Sequence, residues 1–515
     1  MKYANPVIPG FHPDPSICRV GEDYYLVTST FEYFPGVPVF HSRDLVHWRR
    51  IGHCLTNEVQ LPLGEAGSSG GIFAPTLRHH DGWFYMTTTN VSGIGNFYVR
   101  ARNPAGPWSD PIPVAQGGID PSLLFDEDGK VYFQSACDGG EGNGIYQCEM
   151  EIETGVLLTP SRLIWQGTGG ACPEGPHLYK VGALYYLMIA EGGTEYGHME
   201  TIARSAQPYG PYEACPHNPI LSHRSMDSGI QATGHADLVQ AQDGSWWAVL
   251  LGIRPAAYPK RHHLGRETFL APVTWTEDGW PIFGRGGVID GEMQAPQLPA
   301  RVWPQPPVRD HFESEELGLE WIFLRNPRPG SRSLRERRGY LALRGDKTTL
   351  DDGKAPVFVG RRLSHFRCRT AASLTFEPRA DGQEAGLTLF MNEKYHYDLF
   401  IARREGRKAV VLRKRVGSMI TEQVYDCPAG PVVLEADARP DLFFFRFGPE
   451  EGSGQRVDAG SGETHFLSTE MAGGFTGVII AMYAVGGPCP GESEPALFDW
   501  FDYEPLETDA RQAAD

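Results

Sequence analysis

Along roughly the first half of the chain, short runs of apolar and aromatic residues alternate with polar ones and stop at turns rich in Gly and Asp, the pattern of strands joined tightly to one another. One hairpin recurs five times: "GEDYYLVTS" at Tyr24, "HDGWFYMTT" at Phe84, "EDGKVYFQS" at Val131, "VGALYYLMI" at Tyr185 and "QDGSWWAVL" at Trp246. These positions lie 60, 47, 54 and 61 residues apart, a period that suits one four-stranded unit. Ahead of each hairpin stands one more short segment: "DPSICRV" from Asp14, "APTLRHH" from Ala74, "DPSLLFD" from Asp120, "EGPHLYK" from Glu174 and "HADLVQA" from His235. Radial repetition of such units makes a β-propeller, whose innermost strands meet around one axis. The pattern predicts five blades over residues 1–295, with these five residues at equivalent places, 10 or 11 positions before their hairpins. Asp14, Asp120 and Glu174 are therefore expected to converge, together with His235, at one mouth of the central channel.

The pattern changes at "GEMQAPQLPARVWPQPPVRDHF", whose prolines at 296, 299, 304, 306 and 307 predict a stiff linker over 296–308. Beyond it, "EAGLTLFMNEKYHYDLFIAR" and "GGFTGVIIAMYAV" alternate as strands but contain no copy of the blade hairpin. Residues 309–515 are expected to form a β-sandwich with a frayed tail over the last ten residues. Long helical periodicity is absent throughout, so the chain reads as all-β.

Composition sharpens this picture in three respects. A length of 515 residues exceeds one compact core, and 61 glycines with 41 prolines suit many strands joined by turns. The formal charge of -18 argues against a nucleic-acid partner, and the basic runs "RRLSHFRCR" and "RKAVVLRKR" read as solvated strand faces. The segment "MKYANPVIPGFHPDPS" has no apolar export core, and no run of some 18 apolar residues occurs. Nine scattered cysteines without a C-x-x-C pair suit reduced thiols, so a cytoplasmic protein without a membrane partner is expected.

An Asp before a Pro is by itself an ordinary turn or cap residue. Matched placement in three repeats is what singles out the set. Paired carboxyl groups flanking an acetal are the equipment of glycoside hydrolysis, one protonating the leaving oxygen and the other activating water or attacking carbon. A third, charged Asp nearby would raise the acid's pKa by repulsion. His235 reads equally as a metal ligand or as a hydrogen-bonded core histidine, and no H-E-x-x-H or paired Cys/His spacing supports a catalytic metal. Phe31, Phe34 and Phe73 are candidates for walls against a sugar face, or else for packing between blades. Arg266 offers a rigid fork for hydroxyls or for a carboxylate, or else a surface ion pair.

The motifs "NPVIPGFHPDPS", "PVFHSRDLVHW", "GGIFAPTLRHHDG", "GGIDPSLLFD", "PEGPHLYK", "AEGGTEYGH", "ATGHADLVQ" and "LGRETFLAPVTW" together resemble glycoside hydrolase family 43, in particular its two-domain β-xylosidases and α-L-arabinofuranosidases. The likeness implies a propeller followed by a concanavalin-like sandwich and an inverting mechanism with Asp14 as general base, Glu174 as general acid and Asp120 tuning Glu174. It further implies a substrate-contacting Arg266, a channel His235 near a bound calcium or water, and a sandwich loop closing the pocket, for which Phe475 in "GGFTG" is the candidate. Phe73 departs from the tryptophan of many relatives, which leaves the preferred sugar open. The expected reaction is exo-acting release of terminal xylose or arabinofuranose from xylan-derived oligosaccharides. No cofactor is expected for the chemistry; calcium would be structural, and assembly into a homo-oligomer stays open. The rival readings are a retaining fructosidase-type propeller and a sugar-binding propeller without catalysis.

Overall fold

The computed structural model describes residues 2–256, 258–450, 456–487 and 494–506. Cys489 and the expected frayed tail from residue 507 onward lie outside these residues; the other eight cysteines are free thiols. Five antiparallel sheets follow one another from Ser16 to Phe283, four of them four-stranded and the fourth in order extended by a fifth strand. Each begins with the segment expected to be innermost: Ser16–Val20, Thr76–His80, Ile119–Phe125, Glu174–Val181 and Gln231–Gln240. These strands pack against one another in chain order, and the fifth packs against the first, so they close a circle. The strand Lys2–Ala4 pairs with Glu292–Gln294, and Ile8 bridges Thr268, which ties the start of the chain to the last sheet.

Polar side chains on the innermost strands lock this circle from within. Asp237 accepts from Ser16 Oγ at 2.6 Å, Arg78 Nη1 at 2.8 Å and Tyr179 OH at 2.6 Å, so one carboxylate joins four of the five sheets. Burial opposes its ionisation, but Arg78 and the surrounding donors hold it below the usual carboxylate range.

The second half forms two facing sheets of eight and six strands, a sandwich. Alternation along Cys368–Thr375, Gln383–Asn392, Tyr395–Arg404 and Val432–Ala438 sends Leu374, Leu387, Leu399 and Leu434 into the core between them. A further core belongs to neither half alone. Phe11, Phe31 and Tyr33 of the first half pack with Ile322, Leu324, Phe358 and Tyr483 of the second. Phe323–Leu324 pairs as a strand with Tyr33–Phe34, which places Phe34 against Phe323 at 6.4 Å, so of its two readings Phe34 takes packing, across the halves rather than between blades. Arg325, fully buried, donates to the carbonyls of Ala66 and Lys354 and to Glu393. The proline-rich stretch is docked rather than free: Arg49 lies over the Trp303 ring at 3.9 Å, and Trp303 Nε1 donates to His47 O. Among the described residues no helix is long and apolar enough to cross a membrane.

The shared core makes a direct prediction. Removing residues 309–515 uncovers Phe11, Phe31 and Tyr33, each worth roughly 1.5–3 kcal/mol of burial. Calorimetry of the full chain is expected to give one transition, and residues 1–308 alone are expected to aggregate. Two separate transitions, or a soluble and folded 1–308, would count against the shared core.

Candidate active site

Strand register fixes which residues are equivalent around the circle. Ser16, Thr76, Ser122, His177 and Asp237 pair with Val27, Thr87, Gln134, Met188 and Val249 at matching ladder positions. Two residues earlier stand Asp14, Ala74, Asp120, Gly175 and His235. Glu174 therefore lies one residue ahead of the place expected for it, a correction to the repeat alignment. The backbone explains the difference. Asp14, Asp120 and His235 have φ of 53°, 53° and 52°, and Gly175 takes the same left-handed turn at 58°. Such a turn costs a non-glycine residue of order 1–3 kcal/mol and persists where surrounding structure enforces it. Gly175 is required for a second reason: a Cβ there would sit 2.8 Å from the His235 ring. The register also slips at Ile119/Ser122, Glu174/His177 and Gly234/Asp237, bulges that turn the side chains at the strand starts out of the pleat.

Arg266 organises the mouth. Its Nη1 donates to Asp14 Oδ1 at 2.7 Å, and Ser29 Oγ donates to Asp14 Oδ2 at 2.5 Å. The His235 Nδ1 lies 3.9 Å from the same Asp14 oxygen, so its ring stands between Asp14 and Gly175, the neighbour of Glu174. Burial lowers the pKa of His235, which keeps the ring neutral. Asp14, Asp120, His235 and Arg266 are all buried, and Glu174 is partly exposed.

Electrostatics then separate the three acids. Burial first, and the charge of Asp14 second, push Glu174 up to about 7, partly offset by Arg266. Burial, Glu174 and Asp14, in that order, push Asp120 well above the ordinary range. The repulsion between Asp120 and Glu174 is mutual, so the two carboxyl groups hold and release protons as a coupled pair. Two crowded carboxyl groups beside one guanidinium cannot both ionise cheaply.

An aromatic wall closes one side. The Phe31 ring lies 5.3 Å from Phe73 and 5.7 Å from Phe475, and the Arg266 guanidinium stands 5.6 Å and 5.7 Å from the Phe31 and Phe475 rings. Phe475 comes from the sandwich and is anchored by its N–H to Ser69 Oγ at 2.8 Å. Two backbones cross beside it: a Cβ on Gly477 would meet Leu264 O at 2.4 Å, close to the segment that carries Arg266. The adjoining cavity of about 470 Å³ is lined by Tyr196, His198, His262, Arg266, Glu470 and Phe475, among others.

Sequence reading missed several of these residues. Glu470 Oε1 accepts from Tyr196 OH and contacts His262 Nδ1, each at 2.8 Å, and its pKa falls to about 2 against the cost of burial, chiefly through His262. The partner of His262 lies 208 positions away. Fully buried Glu191 accepts from Thr168 N, Gly170 N and Thr201 Oγ1, holding the loop that leads to Glu174. Nothing in a single sequence marks a glutamate for that work.

The surroundings of His235 do not fit the calcium that the resemblance implied. The nearby channel carboxylate, Asp237, is already engaged by the Arg78 guanidinium, and Glu200 is pushed well above its ordinary range, chiefly by burial. Calcium takes six to eight oxygen ligands, and no group of three or more His, Cys, Asp or Glu among the described residues is disposed to hold a metal.

Carboxyl groups of unlike proton affinity, gathered at the mouth of a ring of sheets beside a walled cavity, define a glycosidase. The chain belongs to family 43 of the glycosyl hydrolases: the model of that family matches residues 3–281, and that of the β-xylosidase C-terminal concanavalin A-like domain matches 309–504. It is 48% identical to the non-reducing end alpha-L-arabinofuranosidase of Bacteroides ovatus, over 98% of this chain and 95% of that protein. It is 39% identical to a xylosidase/arabinosidase of Butyrivibrio fibrisolvens, over 93% and 95% of the two chains. The crystal structure of xylan beta-1,4-xylosidase from Bacillus halodurans superposes with a TM-score of 0.93 at 37% identity, covering 98% of this chain and all of that one.

Two predictions follow from this geometry. Between pH 4.5 and about 7 the folded chain keeps a proton on Glu174 that the unfolded chain has released, so this group's contribution to stability falls as pH rises through that window. Glu174→Gln should match the native protein near pH 4 and exceed its stability at pH 8 by about 1–3 kcal/mol; urea unfolding at the two pH values checks this. Gly477→Ala should force the Phe475 and Arg266 segments apart and lower kcat/KM by about 10–100-fold, with the fold kept by circular dichroism.

Proposed function

We propose that the protein is an inverting, exo-acting glycosidase that releases terminal β-D-xylose or α-L-arabinofuranose from xylan-derived oligosaccharides. The observation that carries this reading is the gathering of Asp14, held by the Arg266 guanidinium, with Glu174, raised to about 7, at one mouth of the ring of sheets. Glu174 gives its proton to the departing glycosidic oxygen while Asp14 takes a proton from the attacking water on the opposite face of the sugar. Ser29 and Arg266 fix both oxygens of Asp14, and Asp120 stays as a proton-bearing neighbour that positions Glu174. Arg266, Phe31, Phe73 and Phe475 hold the terminal sugar, and the sandwich loop stops the chain from extending past it. His235 acts as a spacer. The names of the relatives, which include both arabinofuranosidase and xylosidase, support the choice of pentoses.

In this reading the closed circle of five sheets is a five-bladed propeller over residues 1–295, joined through 296–308 to the sandwich of 309–515. The chemistry rests on carboxyl groups, without a cofactor.

A panel of pentosides tests the proposal. Glu174→Ala should abolish turnover of xylobiose, whose alkoxide leaving group needs protonation, and leave substrates with acidic phenol leaving groups affected far less. Asp14→Ala should remove activity on both, by about 10²–10⁴-fold. Proton NMR of the first sugar released from a β-xyloside should show α-xylose; β-xylose appearing first would overturn the inverting assignment. Chelation should leave turnover intact.

A further inference from the structure

Away from the carboxyl groups, the junction of the two halves buries a set of positive groups that the reaction does not use. Arg362 ends the sandwich strand Val357–Arg362, in a basic run expected to be a solvated face. It is instead 5% exposed, and none of its three guanidinium nitrogens has a hydrogen-bond partner among the described residues. Its guanidinium stands 5.4 Å from the Phe11 ring centre. The residue after Phe11, His12, lies with Nε2 3.4 Å from Arg50 Nη2. Arg50 donates through Nη1 to Leu319 O at 2.7 Å, and its Nε is buried and unpartnered. Tyr33 OH and His53 Nε2 are unpartnered in the same way.

The guanidinium nitrogens of this set can only donate, and the Tyr33 hydroxyl can donate as well, so an acceptor completes them. Burial, then Arg50, push the Arg362 pKa down, and burial together with both guanidiniums does the same to His12 and His53, which are thereby neutral. The opposing influence at Arg362 comes from Tyr33 and at Arg50 from Glu320. Glu320 faces Arg50, but water alone would leave Arg362 a buried cation with no carboxylate partner among the described residues. Arg50 and Glu320 also line an open cavity of about 580 Å³ between the first sheet and the proline-rich stretch, so the Arg50 end of the set faces solvent.

We propose that an inorganic anion of chloride size is bound between Arg50 and Arg362, accepts from the Tyr33 hydroxyl, and joins the two halves of the protein. The inference is independent of the assignment of the sugar or of the catalytic acids.

The test uses the full chain, freed of chloride by dialysis into gluconate at constant ionic strength. Adding chloride or bromide should raise the thermal midpoint by several degrees and saturate. Crystals grown in bromide should show an anomalous peak between the two guanidiniums. Arg362→Met should abolish the halide dependence; where that variant does not fold, Arg50→Gln supplies the same comparison. A midpoint that is identical in chloride and gluconate, with only water between the guanidiniums in the crystal, would overturn the proposal. So would a variant that keeps the full halide response. A response to phosphate or sulfate alone would overturn the halide assignment.

Discussion

The mouth of the first domain depends on one guanidinium among three carboxyl groups. Arg266 reaches Asp14 at 2.7 Å, and both side chains are buried beside the cavity. Burial above all raises both Glu174 and Asp120, and of the two Glu174 is the nearer to solvent. The same guanidinium lies against Phe31 and Phe475, so the group that holds Asp14 also helps to fix the aromatic wall. Carboxylate and wall are placed together by that contact.

A second ion pair on the same axis does different work. Arg78 and Asp237 satisfy one another within the ring of strands and leave no charge to spare, which suits a group whose task is to fasten sheets. The contrast with Arg266, whose Nε stays buried and unpartnered beside the cavity, separates a structural pair from a working one more clearly than burial does.

Much of this was legible in the sequence because the repeats are local. Each innermost strand meets its own hairpin within a few residues, so period and alternation alone located Asp14 and Asp120. Glu174 was found but placed one residue off, since a left-handed Gly175 cannot be told from an ordinary glycine without the His235 ring that crowds it. The packing of Phe34 could not be told from a wall in the sequence, because its partner, Phe323, lies across the halves. The link between His262 and Glu470 and the burial of Arg362 were hidden for the same reason: both depend on contacts between segments more than 200 residues apart, and one sequence carries no sign of them. Phe475 was reached only through the family likeness. It packs against Phe31 and Phe73, rings some 400 positions earlier in the chain.

The core shared by Phe11, Phe31 and Tyr33 with Phe358, Phe390 and Tyr483 also sets an order of events during synthesis. The ribosome finishes the sheets of the first half well before it makes the residues that cover them. At the usual pace of translation the roughly 160 residues between Leu324 and Val485 take about 10–30 s to appear. Throughout that interval the nascent chain carries a sticky aromatic face with nothing to lie against it. Its yield in a cell is therefore governed by whatever shields that face during the delay, and a slow stretch of codons after the linker would harm it more than one placed before.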